Sequence, residues 1–323
     1  MLEFALNTMD INDIRQAAER IRPYVRRTPT ELSQSLSTRV GTNVYVKYEL
    51  FQKIGAFKTR GAFNKLLSLS ADERTKGVVA VSGGNHAQAV AYACSVLGID
   101  AVIVMPRSTP QNYVDATRGY GAMVDLQPTI ADAFARIGEY QSDGRVFLHP
   151  FDDPVIMAGQ GTVGLEIMAD VPDATDVIVS IGGGGLVGGI ATAVKSIRSE
   201  TRVWGVETVG ADAMSKALAA GHPVGLAEIT SIAKTLGAPS VSETTLAIAQ
   251  RLLEGVTLVT DREAVEALVF IAERLKVITE PAASCTLAAA EKLRSNFGAD
   301  SKVVIVLCGG NLSVSDLCSF LSI

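Results

Sequence analysis

Seven short runs rich in Val, Ile and Leu, at 78–81, 101–105, 122–126, 177–181, 202–206, 256–259 and 303–307, alternate with stretches of helical apolar period. Strands separated by helices do not close as hairpins, so the pattern predicts a mainly parallel α/β sheet. Most of the runs are continuously apolar instead of alternating with polar residues, which fits strands covered by helices on both faces. A doubly wound arrangement is therefore expected. At 323 residues the chain has room for two lobes, and its 48% hydrophobic content excludes disordered and fibrous classes. Residues 177–194 carry no charge over the length of a membrane span, but six glycines interrupt them, so they read as strand, loop and helix.

Local signals add detail. Asp10, with Asp13 three residues on, caps a helix running through Ile14, Ala17 and Ile21 to about Pro23, and Thr260 with Glu263 opens another near 261–275. A short strand is expected at Val44 to Tyr48. Four βα-like units between 77 and 150, with a return near Pro150 and Pro154, predict a small domain at 77–150. The large domain is then discontinuous, 1–76 plus 151–323.

Charge and cysteine usage narrow the partners. With 29 basic and 34 acidic residues the net charge is −5, without the basic excess that binds phosphate backbones, so no nucleic acid is expected. Cys94, Cys285, Cys308 and Cys318 have neither CxxC spacing nor the density of a disulfide scaffold, which fits a reducing cytoplasm. Met1-Leu2-Glu3-Phe4 carries an acid where a signal peptide carries base, and Asp10 interrupts any apolar stretch, so neither export nor a membrane anchor is expected.

The densest motif is Gly182-Gly183-Gly184-Gly185-Leu186-Val187-Gly188-Gly189, after the run 177–181 and opening a helix. Such a loop offers backbone N–H groups and a helix N-terminus to an anion, naturally a phosphate. No Lys or Arg lies between 177 and 194 and there is no GK[ST], which excludes a nucleoside-triphosphate loop. Three readings stay open on this motif alone: a phosphate-bearing cofactor, a structural turn, and a dinucleotide site. The last is serious because Gly183, Gly185 and Gly188 satisfy GxGxxG and Glu207 ends the next strand about twenty residues on.

Three further turns follow apolar runs. Gly55-Ala56-Phe57-Lys58-Thr59-Arg60-Gly61 begins a helix, so Lys58 sits where the helix dipole disfavours an ammonium and helps supply the neutral amine that imine chemistry needs. A lone lysine is otherwise a solvated surface group. Ser82-Gly83-Gly84-Asn85-His86 is a second amide-lined anion turn suited to a carboxylate; His86 by itself reads more simply as a packed core histidine. Cys308-Gly309-Gly310-Asn311 ends the run 303–307 at a carboxyl-terminal strand edge, where ligands collect, although a buried inert thiol is the ordinary alternative.

Taken in order, Glu49-Leu50-Phe51-Gln52-Lys53-Ile54-Gly55-Ala56-Phe57-Lys58, Ser82-Gly83-Gly84-Asn85-His86, Ala158-Gly159-Gln160-Gly161-Thr162, the tetraglycine loop, Glu280-Pro281-Ala282 and Cys308-Gly309-Gly310-Asn311 resemble the fold-type II pyridoxal-phosphate enzymes, specifically the serine/threonine dehydratase and serine racemase group. The ordered set is specific where each motif is not. The resemblance implies a tryptophan synthase β-like fold, pyridoxal 5'-phosphate as cofactor, and a homodimer. It implies a lyase that eliminates water from a β-hydroxy amino acid, threonine, serine or a bulkier analogue such as phenylserine, to give a 2-keto acid and ammonia. Lys58 is then the Schiff-base lysine, and Gly182, Gly183, Gly184, Gly185 and Leu186 hold the phosphate. Phe57, Asn85, Glu280 and Cys308 surround the ring, with Asn85 on the ring hydroxyl and Cys308 facing the pyridine nitrogen. Ser82, Gly83, Asn85 and His86 bind the substrate carboxylate.

Departures from the family pattern qualify these roles. Racemases of the group carry a second acid/base serine where this chain has Gly83, so weak racemase activity is expected. The family's cation site keeps Glu207 and Ala211 but has Ala213 where a second acid belongs, which weakens the site and leaves two readings of Glu207 open, a ligand of a divalent or monovalent cation and a plain strand-end acid. Ala133 stands near a position where serine racemases carry an arginine, Lys234-Thr235 replaces the usual Asp-Gly, and Ala56 replaces a common serine; together these suggest a less polar substrate pocket. Feedback control through a carboxyl-terminal regulatory domain is not expected. The function classes in competition are thus a pyridoxal-phosphate lyase, a racemase of the same fold, an NAD-dependent oxidoreductase, and a non-catalytic binding protein.

Overall fold

In the computed structural model, which describes residues 9–322, ten strands form two sheets. They are β1 (Thr30–Leu32), β2 (Asn43–Lys47), β3 (Val78–Val81), β4 (Ala101–Pro106), β5 (Met123–Gln127), β6 (Val146–Phe147), β7 (Asp176–Ser180), β8 (Arg202–Thr208), β9 (Gly255–Val259) and β10 (Lys302–Val306). The larger sheet has the order β1-β2-β10-β7-β8-β9 and the smaller β5-β4-β3-β6. Every pairing is parallel except β1 with β2. All seven apolar runs are strands. The two that the sequence pattern missed, β1 and β6, are three and two residues long, too short for any period to register. Residues 77–150 contain four strands but three intervening helices, so the fourth expected βα unit ends at its strand. Met1 to Phe4, which carry the expectation about export, lie outside the described residues. No helix among the described residues is long and apolar enough to cross a membrane.

Burial explains the composition of the runs. In the centre of the larger sheet Val177, Ile178, Val179, Val203, Val206, Val303, Val304, Ile305 and Val306 are all fully buried. Each such side chain stabilises the fold by about 1.5–3 kcal/mol relative to exposure, which accounts for the apolar runs; polar residues of these strands such as Asp176, Ser180 and Glu207 sit towards their ends and are hydrogen-bonded. Helix Thr59–Ser68 packs Phe63 and Leu66 into one core with Val78, Ala80, Val90 and Ile103, although it precedes the small sheet in the chain. The residue just before that helix is therefore carried by an element gripped by the small sheet.

Ala133 requires a correction. It is fully buried in helix Ile130–Ser142, in a core with Val79, Val81, Val102, Val104 and Ile137. It packs this helix onto the small sheet and does not tune a substrate pocket.

Candidate active site

The four glycine-bearing turns follow the carboxyl ends of parallel strands β2, β3, β7 and β10, the edge at which an open α/β sheet leaves room for a ligand. After β7 the chain passes through Gly182 to Gly184 into helix Gly185–Ile197, whose N-cap, Gly184, has φ +96°. A side chain is sterically excluded here. A Cβ on Gly183 would lie 2.2 Å from the Phe151 ring, and one on Gly185 would lie 3.0 Å from the Phe151 backbone. The loop thus presents amides, including N–H groups that have no partner inside the helix, and no side chains. Leu186 packs in the core beneath it.

Lys58 is the N-cap of helix Thr59–Ser68 and is half-buried; its Nζ donates to Pro150 O at 2.7 Å. Burial lowers its pKa from 10.5 to about 8, against the raising influence of Cys308 and Glu280. Desolvation, and not the helix dipole expected from the sequence, is the main cause. At pH 7 roughly one amine in ten is then neutral, where an ordinary lysine would have about one in two thousand. Phe57 is buried in a core with Ile181, Leu186 and Cys308, and its N–H donates to Cys308 O at 3.1 Å.

A polar chain joins the remaining turns. Asn85, first residue of helix Asn85–Leu97, donates Nδ2 to Glu280 Oε1 at 2.7 Å and accepts at Oδ1 from Asn311 Nδ2, also at 2.7 Å. Glu280 is buried, which raises its pKa to about 7 despite hydrogen bonds from Asn85 and Thr235 and the charge of Lys58. Gly309 is required beside it, since a Cβ there would meet Glu280 Oε1 at 2.1 Å. Ser82 Oγ accepts from Gly84 N at 3.1 Å. Cys308 lies 3.9 Å from Ser180 Oγ and 3.6 Å from Ala282 O, and burial drives its thiol far above its ordinary value, so it stays neutral. His86 is buried with Nε2 3.0 Å from Leu148 O; desolvation first, then Lys58, lowers its pKa to about 3. It is a neutral, satisfied ring, which matches the simpler of its two readings.

Glu207 is placed elsewhere. Its Oε1 accepts from Met214 N at 2.8 Å, and its Oε2 from Ser215 N at 2.8 Å and Ser215 Oγ at 2.6 Å, so it caps helix Ala213–Ala220. Both oxygens are engaged, which removes the acid that a dinucleotide ribose would need. Ala211, the other residue expected at a cation, is buried and its N–H bonds Thr208 O; among the described residues no group of three His, Cys, Asp or Glu gathers for a metal. Residues the sequence reading passed over include Pro150 and Phe151, in the linker that follows β6. Pro150 was read only as a domain return, and no local pattern marks either residue as part of a site. Asn311 lay within a quoted motif, and an amide beside two glycines was the available signal.

A profile of the family described as pyridoxal-phosphate dependent enzyme matches residues 21–309. The chain belongs to that family. Among family members, the L-threonine ammonia-lyase of Thermotoga maritima is 40% identical over 309 residues, 94% of this chain and 76% of the relative. The serine racemase of Oryza sativa subsp. indica is 38% identical over 314 residues, 95% of this chain and 92% of the relative. The structure of maize serine racemase superposes with a TM-score of 0.92 at 37% identity, covering 98% of this chain and 97% of that one. The fold is thus the family's fold-type II architecture. The donor set fits its cofactor: a primary amine of lowered pKa, an amide loop with no room for side chains, and a thiol that remains neutral.

Proposed function

We propose that the protein is a pyridoxal-phosphate dependent dehydratase that eliminates water from an L-β-hydroxy amino acid, threonine foremost, releasing a 2-keto acid and ammonia. The observation that supports it best is Lys58, desolvated at a helix start with its pKa near 8. When bound, the cofactor supplies an aldehyde for the substrate amine, a sink for the electrons of the Cα–H bond, and a phosphate for the 182–185 amides. Lys58 Nζ takes the α-proton, since a partly neutral amine both accepts and returns a proton near pH 7. The β-hydroxyl leaves with a proton as water, and hydrolysis of the released enamine returns that water and frees ammonia. The Ser82–Asn85 turn holds the α-carboxylate, and Glu280 with Asn311 fixes the Asn85 amide. Cys308, being neutral, cannot act as the anionic partner of a protonated ring nitrogen.

The racemase reading finds support in the relatives but not in Gly83, which offers no side chain for a second proton transfer. A larger apolar substrate has lost Ala133 as an argument. Thr235 remains near the site, beside Glu280, and its Cγ2 would be 3.4 Å from a Cβ on Gly84. We further propose a cytoplasmic homodimer and a division into 77–150 and the remainder; all four cysteines are free thiols, in keeping with a reducing compartment.

The test is colour and turnover together. The purified holoenzyme should show a visible absorbance band that Lys58→Ala abolishes, and should release keto acid from L-threonine faster than from serine, 3-hydroxyaspartate or phenylserine. Interconversion of L- and D-serine at a rate comparable to keto-acid release would replace the proposal with the racemase.

A further inference from the structure

The loop after β4 brings a hydroxyl to the Ser82–Asn85 turn that the proposed chemistry has not used. An ideal Cβ on Gly83 would lie 2.6 Å from Thr109 Oγ1, so this oxygen fills the space that a side chain at position 83 would take. The oxygen is buried and has no hydrogen-bond partner. Its place is fixed from both sides. Thr109 N–H donates to Pro106 O at 2.9 Å, and Pro110 restricts the backbone that precedes it. One turn on, the Tyr113 hydroxyl donates to Asn311 O, and Asn311 in turn donates to Asn85.

Buried hydroxyls are almost always paired, and one left unpaired at a site marks a missing partner. A hydroxyl has one proton to give, and a carboxylate accepts only. We propose that Thr109 is a substrate ligand, its Oγ1–H donating to the α-carboxylate of the amino acid beside the Ser82–Asn85 amides; this rests on the dehydratase reading. No carboxylate or imidazole bonds Oγ1 to draw its proton away, which favours an anion ligand over a proton carrier.

Thr109→Val keeps the shape and removes the hydroxyl, and Thr109→Ser keeps the hydroxyl. The valine variant should raise KM for L-threonine about tenfold with little change in kcat, and reduce the preference for L-threonine over L-threoninamide about tenfold, the effect of one charge-assisted hydrogen bond. The serine variant should retain both values. Without substrate, Thr109→Val should melt no lower than the parent protein, because it removes an unpaired polar atom. A lowered Tm with unchanged KM would make the hydroxyl structural and overturn the proposal. So would loss of serine interconversion at unchanged KM, which would make it a proton carrier. Should the parent protein yield no keto acid from any substrate, the dehydratase reading fails by itself, and calorimetric binding of L-threonine to parent and Thr109→Val proteins still decides the role of Thr109.

Discussion

Asn85 Nδ2 and Glu280 Oε1 meet at 2.7 Å, joining the first turn of the helix after β3 in the small sheet to the N-cap of helix Pro281–Lys292, which packs on the larger sheet. This bond crosses between the two sheets and sits on a carboxyl group that burial has raised from 4.5 to about 7. Between those values the folded protein holds a proton at Glu280 that the unfolded chain has released. The contribution is therefore fully present below about 4.5 and is lost as pH rises towards about 7. Its size is on the order of 3 kcal/mol. In cofactor-free protein, Glu280→Gln should level this part of the Tm–pH curve, so that the variant gains on the parent protein as pH rises through the window. Glu207, also raised to about 7, titrates in both proteins and cancels in the comparison. Parallel curves would show that Glu280 ionises at its ordinary value.

The glycine loop makes a steric prediction. Gly183→Ala drives a methyl group into the Phe151 ring, and forced overpacking of this kind costs about 1–3 kcal/mol. Cofactor affinity should fall with stability, because the loop moves with the ring. Phe151→Leu in the same chain should recover much of both. Additive losses in a double-mutant cycle, read from Tm and cofactor titration, would mean that the two residues do not touch.

How much of this was legible in the sequence depends on whether a feature is local. Apolar runs announced seven of the ten strands because strands covered on both faces are built mostly from apolar residues. The glycines at 182–185 announced an amide loop because the motif lies in consecutive residues. Pro150, Phe151 and Thr109 were not legible, since each reaches the site from a loop by tertiary approach alone. Glu207 was ambiguous in the sequence because a strand-end acid looks the same whether it meets a ribose, a cation or the N-terminus of the next helix. The lowered pKa expected of Lys58 is present, but burial is its main cause, and burial cannot be read from its neighbours in the chain.

Behind Lys58, Arg60 holds Glu49 through two 2.8 Å bonds and Glu166 through bonds of 2.7 and 2.9 Å, while Lys47 reaches Glu166 at 2.6 Å. Arg60, Lys47 and Glu49 are fully buried. Burial opposes the charge on Glu49, but the Arg60 guanidinium, together with Lys47 and the Thr28 hydroxyl, outweighs it and keeps the carboxylate below its usual range. Removing one member leaves an uncompensated charge, so Glu49→Leu or Arg60→Met alone should lose about 3–5 kcal/mol. The double variant should lose less than either single one, since Glu166 retains Lys47. Denaturant titration measures this, and a double variant worse than both singles would show that the pair contributes net stability.

The carboxylate of Glu207 should behave as a helix cap. It satisfies the N–H groups of Met214 and Ser215, the second and third residues of helix Ala213–Ala220, so Glu207→Ala should lose about 1–2 kcal/mol, the range for a lost N-cap. A cap works without metal. EDTA should therefore leave the Tm and turnover of the parent protein unchanged, and added Mg²⁺ should neither raise them nor rescue the variant. A Tm that falls with EDTA, recovers with Mg²⁺ and loses that response in Glu207→Ala would assign the carboxylate to a cation instead, because only a bound ion links chelation to this one side chain.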